Sequence, residues 1–93
     1  MHCESVVFSG HAVRRMFERA IGESDVQTVL QAGETIARYE DDSPFPSELL
    51  LGFVEGKPLH VLAAEDPENH VCYVITAYAP SAANWQPDFR ARK

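Results

Sequence analysis

The sequence predicts an α+β domain: two N-terminal helices packed on one face of a four-stranded antiparallel sheet. Apolar residues recur at helical spacing in two successive segments as far as Gly33. From Glu34 onward the period becomes that of strands, and the connections between the later strand segments are short enough for hairpins. Helices followed by a run of strands is the order of an α+β plan rather than of alternating parallel units. All 93 residues are read as one domain, 1–93, with 81–93 a tail free to fold back on the sheet. A chain of this length buries roughly 60–65% of its unfolded surface, enough for one modest core.

The first helix is read within FSGHAVRRMFERAIG, Phe8 to Gly22. Val13, Met16, Phe17 and Ala20 form its apolar face, while His11, Arg15 and Arg19 share a polar face at i, i+4 and i+8. Ser9 is expected to cap the start, and Gly22 to close the end in the left-handed conformation. In ESDVQTVLQAG, Ser24 or Asp25 caps a second helix, Val26, Val29 and Leu30 face inward, and Gly33 ends it. Val6, Val7 and Phe8, ahead of the first helix, read as an apolar lead-in stapled onto it.

Thr35 to Tyr39 is the first predicted strand, stopped by Glu40, Asp41 and Asp42 and by Pro44 and Pro46, an acidic loop. Leu49–Val54 and Leu59–Ala64 pair through the turn Glu55-Gly56-Lys57-Pro58. Val71 to Ala79 is the longest strand, with Val71, Tyr73, Ile75 and Ala77 on one face and Cys72, Val74, Thr76 and Tyr78 on the other. By the same alternation His60 points away from Leu59 and Val61.

The net charge is −6, and it is unevenly spread. Between Glu40 and Glu68 eight acids face the single base Lys57, whereas Arg14, Arg15 and Arg19 cluster on the first helix and Arg90, Arg92 and Lys93 at the C-terminus. No apolar run reaches the roughly 20 residues of a membrane span, and MHCESVV lacks the pattern of a signal peptide. The expectation is a cytoplasmic protein with no membrane partner. Cys3 and Cys72 are accordingly expected as thiols, Cys72 buried in its strand. The histidines and cysteines lack the paired short spacings of a zinc site, and no glycine-rich phosphate loop or nucleophile elbow occurs. Neither metal nor cofactor is expected.

Four segments in order, FSGHAVRRMFERAIGESDV, ARYEDDSPFP, GKPLHVL and VITAYAPSAANWQPDFRARK, resemble the small bacterial domain-of-unknown-function family 4258. That family is similar in element order to the RelE/ParE-like toxins and their barnase-type ribonuclease superfamily, and its genes often stand beside small antitoxins. The resemblance implies a toxin-like component of a type II toxin–antitoxin system, with a cognate antitoxin as partner and RNA or the ribosome as target. Homo-oligomer formation is left open.

Metal-independent RNA cleavage needs a base for the ribose 2′-OH, cations for the phosphorane and an acid for the leaving oxygen. His11 and His60 are the candidate proton-transfer groups, with Arg15 and Arg19 as the catalytic cations. Tyr39, Tyr78, Trp85 and Arg90 are the candidate substrate-binding residues, by stacking or by phosphate contact. The rival reading is a non-catalytic protein-interaction module using the exposed helix face and the tail.

Overall fold

The computed structural model describes residues 1–93. The elements run β1 (Ser5–Phe8), α1 (Gly10–Glu18), α2 (Glu23–Ala32), β2 (Glu34–Tyr39), β3 (Ser47–Val54), β4 (Lys57–Asp66) and β5 (Val71–Tyr78). One five-stranded sheet has the order β1-β5-β4-β3-β2. The α+β class stands, but the four-stranded antiparallel sheet is corrected. Val6, Val7 and Phe8 are not a staple: they belong to β1, which pairs parallel to β5 from Ser5 opposite Val71 to Phe8 opposite Val74. Neighbouring parallel strands cannot be joined by a tight hairpin. Here β1 opens the chain and β5 closes the sheet, so the rest of the domain serves as the connection.

The chain leaves β1 at one sheet edge and enters β2 at the other, so the two helices between them cross one face. Helix α1 lies on β5, and α2 lies on β3 and β4. Ala12, Met16, Val26, Val29 and Leu30 meet Leu50, Leu59, Val61, Ala63, Val74 and Ala77 in the main core. Val29 sits so close over β3 that a Cβ on Gly52 would stand 2.7 Å from its Cγ2, which explains the glycine inside a strand.

Helix α1 is rotated from the expected orientation. Met16 is buried as predicted, but its partner toward the sheet is Ala12, while Val13 and Phe17 face solvent, Phe17 with 87% of its surface exposed. The small Ala12 lets the helix approach β5 closely, and the larger side chains flank the contact. Ser9 caps α1, its side-chain oxygen accepting from Ala12 N at 3.0 Å. The expected closure at Gly22 does not occur. Ala20 takes the left-handed position (φ 55°); its N–H donates to Phe17 O and that of Ile21 to Met16 O, a Schellman pattern two residues earlier. Gly22 instead precedes α2 as its N-cap without side-chain assistance, and Gly33 ends α2.

The β3–β4 hairpin turns through Glu55 (φ 52°) and Gly56 (φ 77°), both left-handed as a two-residue turn of this hand requires. In β5 the strict alternation fails. Leu62 pairs with Thr76 and Ala63 with Val74, leaving Ile75 as the extra residue of a bulge. Cys72, Val74 and Ala77 therefore face the helices, and Tyr73, Thr76 and Tyr78 face the other way.

Cys3 and Cys72 form a disulfide, correcting the expectation of free thiols. The bond ties the segment before β1 to β5. The terminal ammonium beside it donates to Leu30 O at 3.0 Å, and Met1 and Cys3 pack against the main core. Neither helix is long and apolar enough to cross a membrane.

Candidate active site

The face of the sheet away from the helices is organised in cross-strand rows, because paired residues point the same way. One row is Glu34, Leu51, His60 and Tyr78; the next is Ala37, Leu49, Leu62 and Thr76; the third is Tyr39, Ser47, Ala64 and Tyr73. The tail closes over the first row, so His60 is fully buried (0% exposed) although it lies outside the helix-side core.

Both nitrogens of His60 are satisfied. Nε2 is 2.9 Å from the carbonyl oxygen of Phe89 and Nδ1 is 3.2 Å from the Tyr78 hydroxyl. A carbonyl only accepts, so Nε2 carries the proton, and Nδ1 is left to accept from Tyr78 O–H. Burial pushes the His60 pKa below its ordinary value; the Phe89 carbonyl opposes this and the charge of Arg92 adds to it. The ring is neutral at neutral pH. Phe89 presents its carbonyl from a left-handed backbone (φ 60°), a costly conformation for a bulky residue, held by the surrounding contacts.

Trp85 covers the imidazole edge-on, with ring centroids 4.4 Å apart, and the Arg92 guanidinium lies 4.8 Å from the indole centroid. A backbone bridge between Trp85 and Arg92 closes the tail on itself. Tyr78 is half-buried, its hydroxyl backed by His60. Burial raises its pKa, Arg92 and Arg19 lower it and Tyr39 raises it, so the phenol stays protonated with two cations and a second phenol in electrostatic reach.

Arg19 arrives from the helix side for a topological reason. β1 ends at Phe8 opposite Val74, so the last residues of β5 have no neighbour at that edge. The Arg19 guanidinium fills the gap, Nη1 donating to Ala77 O at 2.9 Å.

Four of the eight sequence-predicted residues are thus gathered, His60, Arg19, Tyr78 and Trp85, whereas Tyr39, on β2 in the third row, reaches the Tyr78 phenol only through its charge. The other three are not gathered. His11 is exposed in the first turn of α1, and Arg15, one turn on, pairs with Glu18 at 3.1 Å; both lie on the helix layer, across the sheet from His60. Arg90 is held by Glu34 through three contacts of 2.8–3.0 Å, so its fork is already occupied. Arg92 takes the place foreseen for Arg90. It stood in the same basic cluster, but only the left-handed turn at Phe89 decides which arginine faces the site. No group of three or more His, Cys, Asp or Glu residues stands in a metal-holding arrangement.

Groups from β4, β5 and the tail, with an arginine brought round the edge from α1, form one polar cluster in which His60 is buried and Tyr78 half-buried. It holds a proton acceptor, a protonated phenol and guanidinium charge, a set suited to moving a proton beside an anion. No curated protein and no solved structure matches the chain. A family model matches residues 8–79, from the end of β1 through β5. The chain therefore belongs to the family described as domain of unknown function DUF4258.

Proposed function

We propose that this chain is the toxin-like component of a type II toxin–antitoxin system, an endoribonuclease that cleaves RNA without a metal ion. The observation that supports this is the pair of buried His60 and half-buried Tyr78, 3.2 Å apart, with Arg19 and Arg92 both acting on the phenol. In this reading the ribose 2′-oxygen bonds to phosphorus as the bond to the 5′-oxygen breaks, giving a 2′,3′-cyclic phosphate. The 2′ proton passes to the Tyr78 oxygen while the phenol proton passes to His60 Nδ1. Arg19 and Arg92 stabilise the phosphorane charge. Water protonates the departing 5′-oxygen, and His60 returns its proton to solvent.

The test is cleavage of RNA by purified protein in EDTA, with and without ribosomes. Tyr78→Phe, which removes only the hydroxyl, is expected to lower the rate about 100-fold or more with the fold intact. Growth arrest on induction, relieved by co-expressing the neighbouring gene, is the expected cellular counterpart. Intact RNA in both assays together with unaffected growth would sink the proposal.

A second reading, a non-catalytic interaction module, is favoured by one observation: Val13 and the almost fully exposed Phe17 lie side by side on α1. Loss of partner binding in Phe17→Ser, with Tyr78→Phe silent in every assay, would select it.

A further inference from the structure

The open face of the sheet carries two adjoining hollows beyond the tail, which the proton-transfer site does not use. One, of about 540 Å³, is walled by Phe45, Ala64, Tyr73 and Ile75. The other, of about 730 Å³, is rimmed by Glu40, Asp41 and Asp42 with Leu62 on its floor. They share Asp42. The apolar hollow is built: Phe45 stacks on Tyr73 with centroids 6.0 Å apart and planes 12° from parallel. Asp42 is held in place, Oδ2 accepting from Ser47 Oγ at 2.7 Å and Oδ1 from Ser43 N at 3.0 Å.

The charge around the hollows is one-sided. Arg38, the only base lining either hollow, is paired with Glu40 at 3.0 Å, and from residue 40 to residue 68 the only lysine or arginine is Lys57, far off at the start of β4. Asp41 is exposed and has no ion-pair partner. Such a rim repels phosphate and attracts cations. An apolar slot beside an acidic one matches an extended chain whose successive side chains differ in character, since neighbours along an extended segment point to opposite sides.

We propose that these hollows dock an extended segment of a protein partner in which apolar and basic side chains alternate, the apolar ones seated against Phe45, Tyr73 and Ile75 and the basic ones on Asp41 and Asp42. The occupant is a protein rather than RNA because the rim is acidic, and the inference does not depend on the chain cleaving RNA.

The probe is a fluorescein-labelled octapeptide of alternating leucine and arginine, titrated with the full chain at physiological salt. Peptides alternating leucine with glutamate, and serine with arginine, serve as controls. The leucine–arginine peptide is expected to bind about tenfold or more tighter than either, with NMR amide shifts centred on Phe45, Leu62, Tyr73 and Ile75. Asp41→Lys is expected to weaken binding about tenfold, whereas Glu68→Lys, the same charge change outside the hollows, leaves it unchanged. Phe45→Ala is expected to weaken it too; should that variant unfold, Asp41→Lys at its exposed position still decides. Equal weakening by Glu68→Lys, equal binding of the serine–arginine peptide, shifts elsewhere, oligonucleotide RNA shifting the same amides, or self-association through this face would each overturn the proposal.

Discussion

His60→Ala tests whether the tail is part of the folded unit. The imidazole is completely buried beneath Trp85 and bonds Phe89 O and Tyr78 Oη. Truncation loses its packing and leaves a cavity, which for buried side chains of similar size costs about 2–4 kcal/mol. It also leaves the Phe89 carbonyl without its donor, adding about 1 kcal/mol or more, whereas the half-buried Tyr78 hydroxyl turns to water. The expected loss is about 3–5 kcal/mol, a large share of the roughly 5–15 kcal/mol of a typical domain, or about 15–30 °C in Tm. Urea denaturation measures it directly. Trp85 is the single tryptophan, so its emission reports the tail alone and should shift to the red as the indole loses its cover. His60→Gln, which retains an N–H for Phe89, should recover part of the loss. A cost below about 1 kcal/mol with unchanged emission would refute the account of the tail as a packed layer.

The remaining predictions concern the helix face, the disulfide and pH. Met16→Asp should cost several kcal/mol by burying an unpaired charge, whereas Phe17→Ser should stay within about 0.5 kcal/mol of the parent in urea denaturation. The Cys3–Cys72 bond closes a loop with a sequence separation of 69, so reductant should lower stability by up to about 4 kcal/mol, read as a Tm difference absent from Cys3→Ser/Cys72→Ser. Because the folded pKa of His60 lies below its ordinary 6.5, the unfolded chain binds more protons between those two values. Its contribution is then complete above about pH 6.5 and declines as pH falls toward the folded pKa, a slope that His60→Gln should abolish. The Glu34 carboxyl is held low first by its bond from Arg90, and that of Asp66 first by its bond from Asn69. Their contributions are present above the usual carboxylate range and are lost only as pH falls through the lowered values, so the acid limb should flatten at more acid pH in the parent than in Glu34→Gln. Under the proposed reaction, the rate should rise through one limb centred below 6.5, since His11 lies too far away to supply a second imidazole limb near neutrality.

Much of the site was legible in the residues. Alternation alone placed His60 away from Leu59 and Val61, and the change of period at Glu34 located both helices and four of the five strands. Local pattern reports which way a side chain points from its own element; it does not report what covers that face. Phe17 shows this: the periodicity made it part of an apolar stripe, but a stripe wider than its contact leaves a flank exposed, and the approach of Ala12 to β5 determined which flank. Strand β1 was missed because four residues alternating between exposed and half-buried carry too little pattern, and its pairing lies with the far end of the chain.

The sequence by itself determined the α+β class, the hairpins, the helix-side core residues Met16, Val26, Val29 and Leu30, and the residue types available for proton transfer. These follow from local periodicity and turn chemistry, which act over a few neighbouring residues. Tertiary structure alone decided the parallel β1–β5 pairing, the Cys3–Cys72 bond, the bulge at Ile75 that turns Thr76 and Tyr78 to the open face, and the choice of Arg92 over Arg90. Each depends on segments distant in the chain meeting at one register, and that register is set by the packing of the whole sheet rather than by the residues on either side.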